Sequence, residues 1–137
     1  MESVFSFESN LIDGMIKHAE TCYPMEAAGV LVRGENGPAL IPEVTQQDPT
    51  QFHLKAATII TASESGDIVG FYHSHPDGTT ALSVQDTRSM RIGGRPSWPG
   101  LTWLVLSVIN GRCVDMCAYM WNSDRREFLS VAVLIDE

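Results

Sequence analysis

Apolar residues along this chain change their period several times, and each change marks an element. Leu11, Ile12, Met15, Ile16, Ala19 and Cys22 recur at the spacing of one helix face. That predicts a helix over about 10–22, with Ser9 or Asn10 placed to cap it and Pro24 just past its end. AAGVLVRG and PALIPEV are short apolar runs on either side of GENG, which predicts a β-hairpin with Asn36-Gly37 at its turn. Pro38 and Pro42 cannot donate to a ladder, so the second arm belongs toward a sheet edge.

QFHL reads as a short strand, whereas KAATIITASESGD gives conflicting signals. Its β-branched residues argue against a helix, and its position between strands invites one. DIVGFYHSH is apolar at nearly every position and lies between Ser65-Gly66 and Pro76, which predicts a central strand covered on both faces. Residues 83–92 predict a short helix capped by Ser83 and stopped by Gly93-Gly94, with GGRPSWPG as a loop after it. LTWLVLSVI, a turn at Asn110-Gly111, CVDMCAYMWN and REFLSVAVLI then read as a meander. This order predicts an α+β fold, a single domain over 1–137 with a central mixed, mostly antiparallel β-sheet flanked by helices.

Composition narrows the partners. Apolar residues make up 44% and charged residues 19%, an ordinary globular balance that needs no disulfides. The formal net charge is −8 and Arg125-Arg126 is the only adjacent basic pair, so nucleic acid and anionic membrane are poor partners. Cys22, Cys113 and Cys117 are odd in number and lack CxxC spacing, and the acidic start MESVFSFESN does not resemble a signal peptide. The cytoplasm is the expected compartment, and a homodimer is left open. Cys113 and Cys117, four apart in a strand-like segment, should share a face and pack in the core. His18, on the exposed side of the first helix, and His53 are not in ligand spacing; Trp98 is placed to line a substrate groove.

The chemistry concentrates in FYHSHPDGTTALSVQDTRSM. Side chains alternate along a strand, so His73 and His75 face the same side and can reach one ion, while Ser74 faces away as a structural residue. Catalytic zinc takes three N or O ligands and keeps a position for water, and Asp86 can supply the third if residues 77–82 fold back. The ordinary reading is a buried strand followed by a helix start, because Ser83-x-x-Asp86 also has the form of a capping box. Hydrolysis further needs a proton carrier, and Glu26, between the first helix and an apolar strand, is an exposed carboxylate with no evident packing role.

Pro24, Glu26, Gly29 and Leu31, then His73-Ser74-His75-Pro76, then Ser83 and Asp86 seven and ten residues after the proline fill a pattern that resembles the JAMM (MPN-plus) zinc metalloproteases. The likeness to the compact bacterial members covers about residues 1–120 and loosens over the last strands. It implies a cytidine-deaminase-like α+β fold and one zinc per chain held by His73, His75 and Asp86. It implies Glu26 as general base and then acid, and Ser83 as hydrogen-bond donor to the oxyanion. The implied activity is hydrolysis of an amide bond at the C-terminal tail of a ubiquitin-like or sulfur-carrier protein. A phage-tail-assembly protease is one alternative. A silent MPN scaffold that only binds partners is another, although this chain keeps all three ligand positions together with Glu26 and Ser83.

Overall fold

The computed structural model describes residues 4–44, 48–92 and 94–136, arranged around a seven-stranded mixed sheet. The elements in chain order are β1 (Val4–Glu8), α1 (Ser9–Cys22), β2 (Ala28–Gly34), β3 (Gly37–Pro42), α2 (Ala56–Ser65), β4 (Asp67–His75), α3 (Val84–Ser89), β5 (Arg91–Ile92), β6 (Arg95–Pro96), β7 (Thr102–Ile109), β8 (Arg112–Asn122) and β9 (Glu127–Asp136). The sheet runs β1-β9-β8-β7-β4-β2-β3, with β5 and β6 forming a separate two-stranded ribbon. Parallel pairing joins β1 to β9 and β4 to β7, and every other pair is antiparallel. The expected mixed, mostly antiparallel α+β architecture is what the chain adopts.

Helix α1 covers one face of the sheet. Leu11, Ile12, Met15 and Ala19 pack there against Leu31, Tyr72, Leu104, Leu106 and Val108. On the opposite face Val30, Val32, Ala62, Phe71, Met90 and Trp103 form a second core under α2 and the segment after α3. Strand β4 lies between β2 and β7, and its last six residues are all buried. Its near-continuous apolar character therefore has the physical origin expected for a strand covered on both sides. At a few kcal/mol for each large side chain, such burial is what offsets the entropy of ordering the chain.

Several local expectations need correction. QFHL is irregular, and KAATIITASESGD resolves into α2, where Thr58 and Ala62 are buried. Neither Ser9 nor Asn10 caps α1, because β1 runs straight into the helix and Glu8 occupies the N-cap position without a side-chain bond. The first hairpin turns at Glu35-Asn36, with Gly37 at φ 98° pairing back to Gly34. Asn110 and Gly111 do form the second turn, at φ 50° and 80°. Helix α3 is shorter than 83–92, and part of the expected GGRPSWPG loop is β6; Gly93 lies outside the described residues. Cys113 and Cys117 do not share a face. An irregularity in β8 opposite Ser107/Val108 changes the alternation between them, so Cys113 stands across from Val108 and Cys117 across from Val105. All three cysteines are free thiols.

Candidate metal centre

The end of β4 presents His73 and His75 on the same face, and both are buried. Ser74 points the other way, as its place in the alternation requires. Its hydroxyl accepts from the Ala27 amide at 2.8 Å, and its own amide donates to the Ala27 carbonyl at 3.0 Å. These bonds extend the β2–β4 pairing by one residue and fix the chain next to Glu26. The Glu26 amide also donates to the carbonyl of Asp48 at 3.0 Å. Glu26 is held from both sides, and the residue is not exposed as the sequence suggests but 2% accessible.

Asp86 arrives from α3. Both halves of the capping box form: the Asp86 amide donates to Ser83 Oγ at 3.0 Å, and the Ser83 amide donates to Asp86 Oδ2 at 2.9 Å. The same Oδ2 lies 2.9 Å from His75 Nε2 and 3.3 Å from His73 Nε2. Helix start and acidic cluster are therefore one arrangement, because the capping geometry aims the carboxylate at the histidines. The turn after Pro76 supplies a further constraint. His75 Nδ1 sits 3.0 Å from the Thr79 carbonyl, which can only accept, so Nδ1 carries a proton and the ring is oriented with Nε2 toward the cluster. Tyr119 donates from its hydroxyl to the Thr80 carbonyl at 2.7 Å, tying that turn to β8.

Glu26, His73, His75 and Asp86 bring one ligand atom each to within 4.8 Å of one another, and all four residues are buried. Glu26 Oε1, both ring nitrogens of His73 and Asp86 Oδ1 have no hydrogen-bond partner. Buried polar atoms are rarely left so, and an orphaned group costs about 1–3 kcal/mol. Burial pushes the Glu26 carboxyl up to about 8; His75 pulls it down, and the charges of Asp86, Asp77 and Asp48 add to the rise. Burial would also raise Asp86, but the two imidazoles and the Ser83 amide outweigh it and hold this carboxyl well below the usual range. His73 is lowered by burial, whereas His75 is raised because Asp86, Glu26 and the Thr79 carbonyl overcome its desolvation.

All four predicted cluster residues thus meet, with Ser83 beside them. Sequence reading missed the residues that support them. Phe52 stacks on the His73 ring at 4.3 Å between centroids and 22° between planes. His18 is half-buried rather than exposed, with Nδ1 2.6 Å from the Tyr72 hydroxyl. Trp98 does line a groove of about 390 Å³, together with Phe52, Leu54, Ile92 and Trp103.

Two histidines on a strand end, a carboxylate from a capped helix start and a buried glutamate from the neighbouring turn, on this mixed sheet, define a JAMM/MPN-type domain. The chain belongs to the prokaryotic JAB family, described as prokaryotic homologs of the JAB domain, whose model matches residues 8–122. Among curated proteins it is similar to the desampylase of Haloferax volcanii, 31% identical over 145 residues that cover 96% of this chain and 97% of that protein. It is also similar to tail tip assembly protein K of Escherichia phage N15, 35% identical over 77 residues, 55% of this chain but 32% of the phage protein. A solved protein from Desulfitobacterium hafniense shares the fold with a TM-score of 0.74 at 19% identity, covering 98% of this chain and 94% of that one. A JAMM structure described as a metalloprotease-like zinc site in the proteasome and signalosome superposes with a TM-score of 0.57 at 14% identity, covering 98% and 100%.

Proposed function

We propose that this JAMM-type hydrolase, a zinc metalloprotease by family, cleaves an amide bond at the C-terminal tail of a small ubiquitin-like or sulfur-carrier protein. The observation that carries the reading is the buried Glu26–His73–His75–Asp86 cluster with its four unpartnered polar atoms. Its donors suit zinc: imidazole nitrogens and a carboxylate oxygen. The 2.9 and 3.3 Å spacings from Asp86 Oδ2 to the two histidines are close to the edge, roughly 3.3 Å, of a tetrahedron with zinc–ligand arms of about 2.0–2.1 Å. His73, His75 and Asp86 would hold the ion, leaving a position free for water.

Zinc bound there would polarise a carbonyl and lower the pKa of a water toward neutrality. Glu26, buried beside the histidines, would take a water proton on its carboxylate and return it to the leaving amine. Ser83 spends a lone pair on the Asp86 amide, so its hydroxyl hydrogen stays free to donate to the substrate carbonyl oxygen as charge develops there. The name of the Haloferax relative describes removal of a protein modifier, and the overlap with it is nearly complete in both chains. The phage protein is matched over only a third of its length, which gives the tail-assembly reading less support.

Elemental analysis of purified protein tests the metal assignment. About one zinc per chain is expected, and it should be lost in His75→Ala and Asp86→Ala. Full zinc retention in both variants would refute the ligand set.

A further inference from the structure

Five of the nine basic residues, Arg88, Arg91, Arg95, Arg125 and Arg126, fall in two short segments, the stretch from α3 to β6 and the turn between β8 and β9. The two segments meet around a groove of about 600 Å³ that Arg95, Pro96, Pro99, Trp121 and Arg126 line. Trp121 stands at the centre of the arrangement. The Arg91 guanidinium lies 5.0 Å from its ring centroid, and Phe128 meets the ring edge-on at 5.1 Å. Arg91 Nε is buried with no hydrogen-bond partner. Among the described residues, Arg125 is the one arginine of this group with a carboxylate in reach, Glu127 at 4.0 Å. Asp124 and Glu127 share the β8–β9 turn, but no carboxylate lines the groove, so in a chain of net charge −8 its lining is a local reversal of sign. Arginine and tryptophan are also the side chains that most often carry binding energy at protein interfaces, and guanidinium forks match carboxylates.

Its position relative to the cluster adds a length. His73 stands across from Val105, which stands across from Cys117, and Trp121 is four residues further along β8 on the same face. Two strand spacings and four residues of rise put Trp121 roughly 16 Å from His73. An extended tail of about five residues spans that distance.

We infer that the groove between the β5–β6 ribbon and the β8–β9 turn docks an acidic face of the modifier protein, holding its body while its last few residues run to the metal cluster. The inference rests on the proposed hydrolysis at a modifier tail. It commits to a protein partner, since the overall charge opposes nucleic acid.

The probe is a ubiquitin-fold protein with an acidic surface and a Gly-Gly terminus, used free, as a linear fusion, and as a fluorogenic peptide of its tail alone. Arg95 and Arg126 are both exposed, so the double variant Arg95→Glu/Arg126→Glu should fold. Titration of the free probe should show at least about tenfold weaker binding to this variant, and wild-type binding should weaken as salt rises. KM for the fusion should rise about as much while turnover of the tail peptide is unchanged. Equal binding by wild type and variant, no binding by wild type, or equal effects on fusion and peptide would overturn the inference. So would tighter binding of a single-stranded oligonucleotide than of the probe. If wild type with zinc cleaves neither substrate, the hydrolase reading fails, and the titration alone still decides whether the groove docks the protein.

Discussion

Ser74 shows how one residue between two histidines does structural work for a third group. Its hydroxyl accepts the Ala27 amide, and that bond fixes where Glu26 begins. Ser74→Ala should keep zinc, cost about 1 kcal/mol in stability, and lower kcat about tenfold by loosening Glu26. Zinc content, denaturant melts and cleavage rates together check this; unchanged kcat would show that the Glu26 turn is held by its other contacts. At this scale much of the site was legible. The two histidines, Ser83 and Asp86 sit at spacings that alternation and capping explain, and Glu26 was marked by its place between the first helix and an apolar strand and by the family motif. Phe52 and Tyr119 were not legible because each arrives through a long-range approach for which the local pattern carries no signal, and the Thr79 carbonyl was not because its aim depends on how the turn after Pro76 folds.

Elements explain what single residues cannot. Gly29 pairs with Tyr72 across β2 and β4, and a Cβ added at Gly29 would lie 2.3 Å from the Tyr72 ring. The tyrosine crosses over the glycine and bonds to His18 on α1, so the motif glycine is a packing requirement between two strands and a helix. Gly29→Ala should therefore destabilise by about 1–3 kcal/mol in a thermal or urea melt, since a buried ring has to shift. A neutral result would mean that Tyr72 can move without loss. Periodicity found α1, the first hairpin, β4, β7 and the meander because each has one dominant pattern. It failed where packing overrode propensity. Helix α2 forms despite its β-branched residues because it packs against β2, and 51–54 gives up extended pairing while Phe52 covers His73. The irregularity that separates Cys113 from Cys117 depends on strand register, which composition does not encode.

For the molecule as a whole, the cluster is a stability feature as well as a chemical one. Two carboxylates and two imidazoles converge in a buried space, with four polar atoms unpaired. A cation bound there would pair with His73 Nε2 and the Asp86 carboxylate, and binding that favours the native state adds about 2.7 kcal/mol when ligand exceeds its Kd a hundredfold. Stripping the protein with a chelator should lower Tm by several degrees, and adding zinc back should restore it. A Tm indifferent to both treatments would mean that the cluster does not hold metal in the folded state. The arginine-lined groove belongs to this scale too, because its charge patterning becomes visible only after β6 and the β8–β9 turn are brought together.

Everything proposed for the site turns on Glu26 moving the proton for a reaction at the His73, His75 and Asp86 centre. The decisive variant is Glu26→Gln, with zinc content and cleavage of a Gly-Gly-tailed fusion measured on the same preparation. The substitution keeps size and burial while removing the proton acceptor. About one zinc per chain is expected, as in wild type, with a fall in kcat of at least about a hundredfold. A Glu26→Gln protein that retains zinc and cleaves at the wild-type rate would contradict it.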